Sequence, residues 1–204
     1  MQLLYLANEL LHCISENLEL ERDINAFTQA NRRLYRLLNT YLYRHNIQQS
    51  RSSALLWGAQ HGQEVTVRRL LGEGANVQAL PNRNQTPLSA AAENGHENVI
   101  KLLLEKGADV NARGGNFGNA LQAALARGHE QVVKLLLDKS ANVNARGGYY
   151  GNALQAASAG GDEQVVKLLL SKNANVNAQG GYYGNALQTA LARGDGEAAA
   201  RQGR

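Results

Sequence analysis

Hydrophobic and polar positions recur with a single period over residues 52–204. Leu55, Leu88, Leu121, Leu154 and Leu187 stand 33 residues apart. Ala75, Ala108, Ala141 and Ala174 keep the same step, as do Val77, Val110, Val143 and Val176, and Gly62, Gly95, Gly128, Gly161 and Gly194. Several registers sharing one period mark an array built from one small structural unit. The second unit shows what that unit is. Thr86 is placed to cap a helix whose first residue is Pro87, where the missing N–H costs nothing. Leu88, Ala91 and Ala92 give it a small-residue face for close approach, and Asn94-Gly95 ends it. His96 and Glu97 open a second helix with Val99, Ile100, Leu102, Leu103 and Leu104 as its apolar run, and Gly107 stops it. A turn-rich extended arm then leads into the next unit. One helix pair cannot bury both its faces, so stability comes from stacking neighbours. Leu103, Leu136 and Leu169 are the predicted core.

The first fifty residues follow another pattern. Leu3, Leu6, Leu10 and Ile14 lie at helical spacing with Leu4 and Leu11 beside them, and residues 18–22 break the run. Asp23 offers an N-cap. Phe27, Leu34, Leu38 and Tyr41 then share a face, with Arg32 and Arg36 opposite. The pattern predicts a helical module over 2–47, too small to bury an ample core by itself. It should therefore pack on a partner or on the first unit, with Trp57 as the bridge. Glycine sharpens the boundary: the chain has 21, and none precedes Gly58.

The repeat resembles the ankyrin repeat. Thr86-Pro87-Leu88-Ser89-Ala90-Ala91 matches that family's T-P-L-H-x-A with Ser89 in place of His, and Gly95-His96, Leu102-Leu103-Leu104 and Gly107-Ala108-Asp109-Val110-Asn111 match the rest of its signature. Later units carry Asn119-Ala120-Leu121-Gln122, Asn152-Ala153-Leu154-Gln155 and Asn185-Ala186-Leu187-Gln188 instead, a variant that looks like ankyrin proteins of filamentous fungi. The resemblance implies a mainly α ankyrin solenoid over 52–204, of about five units. The fifth unit lacks the second helix's large apolar residues and ends in Ala198-Ala199-Ala200-Arg201, which reads as a shortened array rather than a weak cap.

The N-terminal module resembles an F-box. Leu6-Ala7-Asn8-Glu9-Leu10-Leu11, Ile14, Leu18, Asp23-Ile24, Phe27 and Arg32-Arg33-Leu34-Tyr35 follow that family's order, with Ala7 for Pro, Ile24 for Leu and Phe27 for the second Leu. The resemblance implies that some of Leu6, Glu9, Leu10, Leu11, Ile14, Leu18 and Phe27 meet a Skp-family adaptor while the others pack internally. The whole chain would then be a substrate-recognition subunit of a cullin-RING ubiquitin ligase, its ankyrin array holding an unknown target. The rival reading is an ankyrin scaffold or transcriptional co-regulator in which the first fifty residues only cap the array.

Composition narrows the setting. A lone cysteine, Cys13, excludes an internal disulfide and fits a reducing compartment, so an intracellular protein of cytoplasm or nucleus is expected. Neither a signal peptide nor a membrane span is legible at the start. Residues 1–50 balance their charges, so the net charge of +4 belongs to the array, where cations are scattered singly among acids. Nucleic-acid binding is not expected. No catalytic spacing stands: His96-Glu97 and His129-Glu130 lack the second histidine of a zinc HExxH motif, and Cys13 beside Ile14 reads as a small buried hydrophobe. The expectation is a protein that is not an enzyme and holds no cofactor or metal. His96 and His129 should serve the inter-helix turns, and Asn111, Asn144 and Asn177 the arms. The candidates for target binding are the repeated Gly-Gly-aromatic tips. Phe117, Tyr150 and Tyr183 should pack under their hairpins, while Tyr149 and Tyr182 are either exposed anchors or packed too. Arg113 and Arg146, one repeat apart, are either ligands for an acidic group or solvated charges.

Overall fold

A computed structural model describes residues 53–80 and 85–193. The helices come in pairs: α1 (Ser53–Gln60) with α2 (Glu64–Gly72), α3 (Pro87–Glu93) with α4 (Glu97–Glu105), α5 (Ala120–Arg127) with α6 (Glu130–Asp138), and α7 (Ala153–Gly160) with α8 (Glu163–Ser171). Residues 186–193 form a further helix, α9. Among the described residues there are no strands, only isolated antiparallel bridges at the arm tips. The first helices of the pairs stack on one another in order, α1 to α3 to α5 to α7, and α2, α4 and α6 form the second row. The fold is the predicted helix-pair solenoid.

Local chemistry starts each helix where the sequence says it should. The Thr86 hydroxyl accepts from the Ser89 amide at 3.0 Å, ahead of Pro87. Asn119, Asn152 and Asn185 do the same for Gln122, Gln155 and Gln188 at 2.9 Å. Each cap satisfies an amide that the first turn leaves without a partner. His96 and His129 stand at the turns: Nε2 of each lies 3.0 Å from a carbonyl of the preceding unit, Gln60 O and Glu93 O. The next unit has Asp162 there instead, and its carboxylate caps α8 by accepting from the Gln164 and Val165 amides.

The core is a double row of leucines. Leu55, Leu88, Leu121 and Leu154 fill the first helices, and Leu70, Leu103, Leu136 and Leu169 the second. The alanines at 91, 92, 124 and 157 are fully or almost fully buried, which is how neighbouring first helices come close. Along the arms, the asparagines tie unit to unit. The Asn142 amide donates to Asn111 Oδ1 at 2.7 Å and the Asn175 amide to Asn144 Oδ1 at 2.8 Å.

The proposed F-box residues Leu6, Glu9, Leu10, Leu11, Ile14, Leu18 and Phe27, along with Cys13, lie outside the described residues, as does the tail 194–204. Trp57 is half-exposed and stacks on His61 at 4.6 Å between ring centroids. Leu187 holds the register of Leu121 and Leu154 but is 70% exposed, because no described unit stacks beyond α9.

Candidate functional site

The arms end in hairpin tips at residues 113–119, 146–152 and 179–185. Each is closed by a glycine-to-glycine hydrogen bond: Gly114 N to Gly118 O at 2.8 Å, Gly147 N to Gly151 O at 2.9 Å, and Gly180 N to Gly184 O at 2.8 Å. The tips are also bonded to each other. Tyr149 N donates to Asn116 O and Tyr182 N to Tyr149 O, both at 2.9 Å, so the three tips form a main-chain ladder along the solenoid. That ladder needs glycine. A Cβ on Gly148 would lie 2.0 Å from the Phe117 carbonyl carbon, and one on Gly181 2.2 Å from Tyr150 O, both at a φ of +67°. From below, buried side chains hold the tips in place. Gln122 Nε2 donates to Gly147 O at 3.0 Å, and Gln155 Nε2 to Gly180 O and Gly184 O at 2.8 and 2.9 Å. The glutamine that replaces the motif's histidine therefore reaches forward into the next unit's tip.

On this ladder the aromatic rings stack across repeats instead of each folding only under its own hairpin. Phe117 and Tyr150 are parallel with centroids 6.3 Å apart. Tyr149 and Tyr182 are parallel at 5.5 Å, and Tyr183 meets both edge-on. Phe117, Tyr150 and Tyr183 are half-buried, whereas Tyr149 is 47% and Tyr182 74% exposed. A side-chain hydrogen bond with Tyr183 is the main cause that holds the Tyr149 phenol above its ordinary pKa, with smaller contributions from desolvation and neighbouring tyrosines. Tyr149 therefore stays neutral beyond the usual tyrosine range.

Arg113 and Arg146 are exposed at the bases of consecutive tips, and neither has an ion-pair partner among the described residues. Arg127 differs. It sits over the Phe117 ring at 5.4 Å and pairs with Glu93 at 2.8 Å, and Glu93 also accepts from Gln85. This cation–π and ion-pair chain, which joins the second and third units, was not legible in the sequence, because its members come from separate turns. The structure thus brings Tyr149 and Tyr182 into one exposed stack, with Arg113 and Arg146 on the same row of tips.

Elsewhere the described residues gather no group of three His, Cys, Asp or Glu side chains that could hold a metal ion. No described helix is long and apolar enough to cross a membrane. No curated protein matches the chain. A family model described as ankyrin repeats (3 copies) matches residues 26–114 and 113–180, more than half of the sequence. Its first stretch begins inside the segment read above as a separate module. Together with the helix-pair stack, this match places the chain in the ankyrin-repeat family.

Proposed function

We propose that this protein is a recognition scaffold that seats a target protein on its row of hairpin tips, with Tyr149 and Tyr182 as anchors and Arg113 and Arg146 beside them. Ankyrin repeats form a protein-interaction module and a non-catalytic scaffold. The observation that carries the assignment to this edge is the Tyr149–Tyr182 pair, parallel at 5.5 Å and exposed on a ladder of main-chain hydrogen bonds. Tyrosine offers large contact area at small entropic cost, and a bonded platform loses little freedom on binding. Peptides selected from a random display library against the whole chain test the reading. Selected binders should be lost with a Tyr149→Ala/Tyr182→Ala double variant whose melting midpoint is near wild type. Binders that ignore the double variant would move the site elsewhere.

The first fifty residues carry a second reading, favoured by the Leu6–Phe27 resemblance to an F-box. In it the segment docks a Skp-family adaptor, and the protein presents its target to a cullin-RING ubiquitin ligase in cytoplasm or nucleus. Tethering would raise the local concentration of target lysines near the ubiquitin carrier, with catalysis left to other subunits. The family match from residue 26 favours the alternative of a plain ankyrin scaffold or transcriptional co-regulator, with the segment as part of the array. Adaptor co-purification separates the two. A Leu10→Asp/Ile14→Asp variant that loses the adaptor yet keeps the array's melting midpoint supports the ligase reading, and no co-purification by the wild type rejects it.

A further inference from the structure

We infer that the hairpin edge is a track for an extended acidic segment of a partner protein, whose carboxylates meet Arg113 and Arg146 while an apolar side chain further along lies on the Tyr149–Tyr182 pair. The inference rests on the reading of this edge as the recognition surface and adds the chemistry of what binds there.

Charge distribution is the first argument. Residues 111–119, 144–152 and 177–185 contain two arginines and neither aspartate nor glutamate. The carboxylates of the described residues lie outside these stretches: Glu93 at the end of α3, Asp109 on the arm leading to the first tip, where it accepts from the Asn111 amide, and the others on or beside α2, α4, α6 and α8. Three of those acids engage cations of their own helices, in Arg68–Glu64, Lys101–Glu97 and Lys167–Glu163, Glu93 takes Arg127, and Asp109 and Asp162 accept from backbone amides. Arg113 and Arg146 are left exposed, without a carboxylate within ion-pair distance among the described residues. A guanidinium presents a planar fork that matches a carboxylate, and it sheds water more easily than an ammonium.

Rigidity and spacing are the second. The two arginines occupy the same position of consecutive tips, and those tips are bonded through Tyr149 N to Asn116 O. Gln122 pins the second tip from below. The anchors therefore stand in a row, one per repeat, on backbone whose freedom is already lost before binding. A row of separated anchors along one edge suits an extended chain, which presents successive side chains along its length. The exposed tyrosine faces continue the row into the next repeat, where Gln179 replaces the arginine. The track is thus charged at one end and aromatic at the other.

Three fluorescein-labelled peptides test this by anisotropy with the full chain: six Glu-Pro, six Gln-Pro and six Lys-Pro repeats, which share an extended backbone and differ in charge. A thymidine oligonucleotide of similar length is the fourth probe. The Glu-Pro peptide should bind tightest and weaken with salt, since the contacts are exposed. Arg113→Gln/Arg146→Gln should weaken it about tenfold and flatten the salt dependence, without changing the melting midpoint. Tyr149→Ala/Tyr182→Ala should weaken the Glu-Pro and Gln-Pro peptides alike. Equal binding of Glu-Pro and Gln-Pro, both lost with the tyrosine variant, would overturn the acidic-partner inference and leave the hairpin edge as the site. Glu-Pro binding that no variant changes would overturn both. Failure of the Glu-Pro peptide to bind, or tighter binding of the oligonucleotide through the same residues, would also overturn the inference.

Discussion

The sequence Asn-Ala-Leu-Gln occurs three times, and its environment does not stay the same. At Asn119–Gln122 and Asn152–Gln155 the leucine is buried to 1% and 4% exposure and the glutamine is buried with it. At Asn185–Gln188 the cap is intact, yet Leu187 is 70% exposed and Leu191 on the same helix 58%. The residues are identical, so composition cannot explain the difference. Helix starts are decided within a few residues by the cap, whereas burial is decided by the unit that stacks next. Trp57, in the first described helix pair, makes a second contrast. It holds the register of Ala90, Ala123 and Ala156, all buried between units, and is itself half-exposed.

Leu136→Ala should break the interior most. It removes a fully buried side chain of the shared core, and a loss of about 2–5 kcal/mol is expected in urea unfolding. An unchanged midpoint would mean the units do not stack as described. Next comes Gly148→Ala, at φ +67° and facing the Phe117 carbonyl, with an expected loss of about 2 kcal/mol. If the tips were independent, that substitution would cost only the left-handed backbone strain, about 1 kcal/mol. Asn152→Ala should remove about 1 kcal/mol by leaving the Gln155 amide without its cap. Leu187→Ala sharpens the comparison directly: thermal melting should shift by less than about 0.5 kcal/mol equivalent, against the large loss at its sequence counterparts Leu121 and Leu154.

The smallest effect concerns the turn where Asp162 replaces histidine. Its pKa is lowered, first by the Val165 backbone amide, opposed by desolvation and aided by Gln164, Glu130 and Lys134. A folded pKa below the unfolded one means the contribution is present above the ordinary carboxylate value and disappears as pH falls through the folded value. The difference in midpoint between wild type and Asp162→Ala should therefore be seen near neutral pH and shrink toward acid. A difference that persists at low pH would mean that packing and not the ionised cap is responsible.

Much of the fold was readable because it is set locally and repeated. Thr86 with Pro87, the glycines ending helices and the leucine period were each visible without a partner in view. The turn role of His96 and His129 followed from position. The site was readable only in part. The Gly-Gly-Tyr-Tyr repeats drew notice to Tyr149 and Tyr182, but the stacking of Phe117 on Tyr150, the reach of Gln122 and Gln155, and the Arg127–Glu93 link join residues from different units. Nothing in a single stretch encodes those meetings.

The sequence by itself determined the unit: its length, its caps, the apolar faces and the glycines that let tips close. Those depend on interactions within a few residues and on a period that any one copy shares with the next. Tertiary structure decided which copies of a residue are core and which are surface, and which tyrosines face outward. Burial requires a neighbour, and a ring's exposure depends on the hairpin bonded beside it. That is why Leu121 and Leu187, alike in sequence, belong to different environments, and why the exposed Tyr149–Tyr182 stack emerged only when the units were placed together.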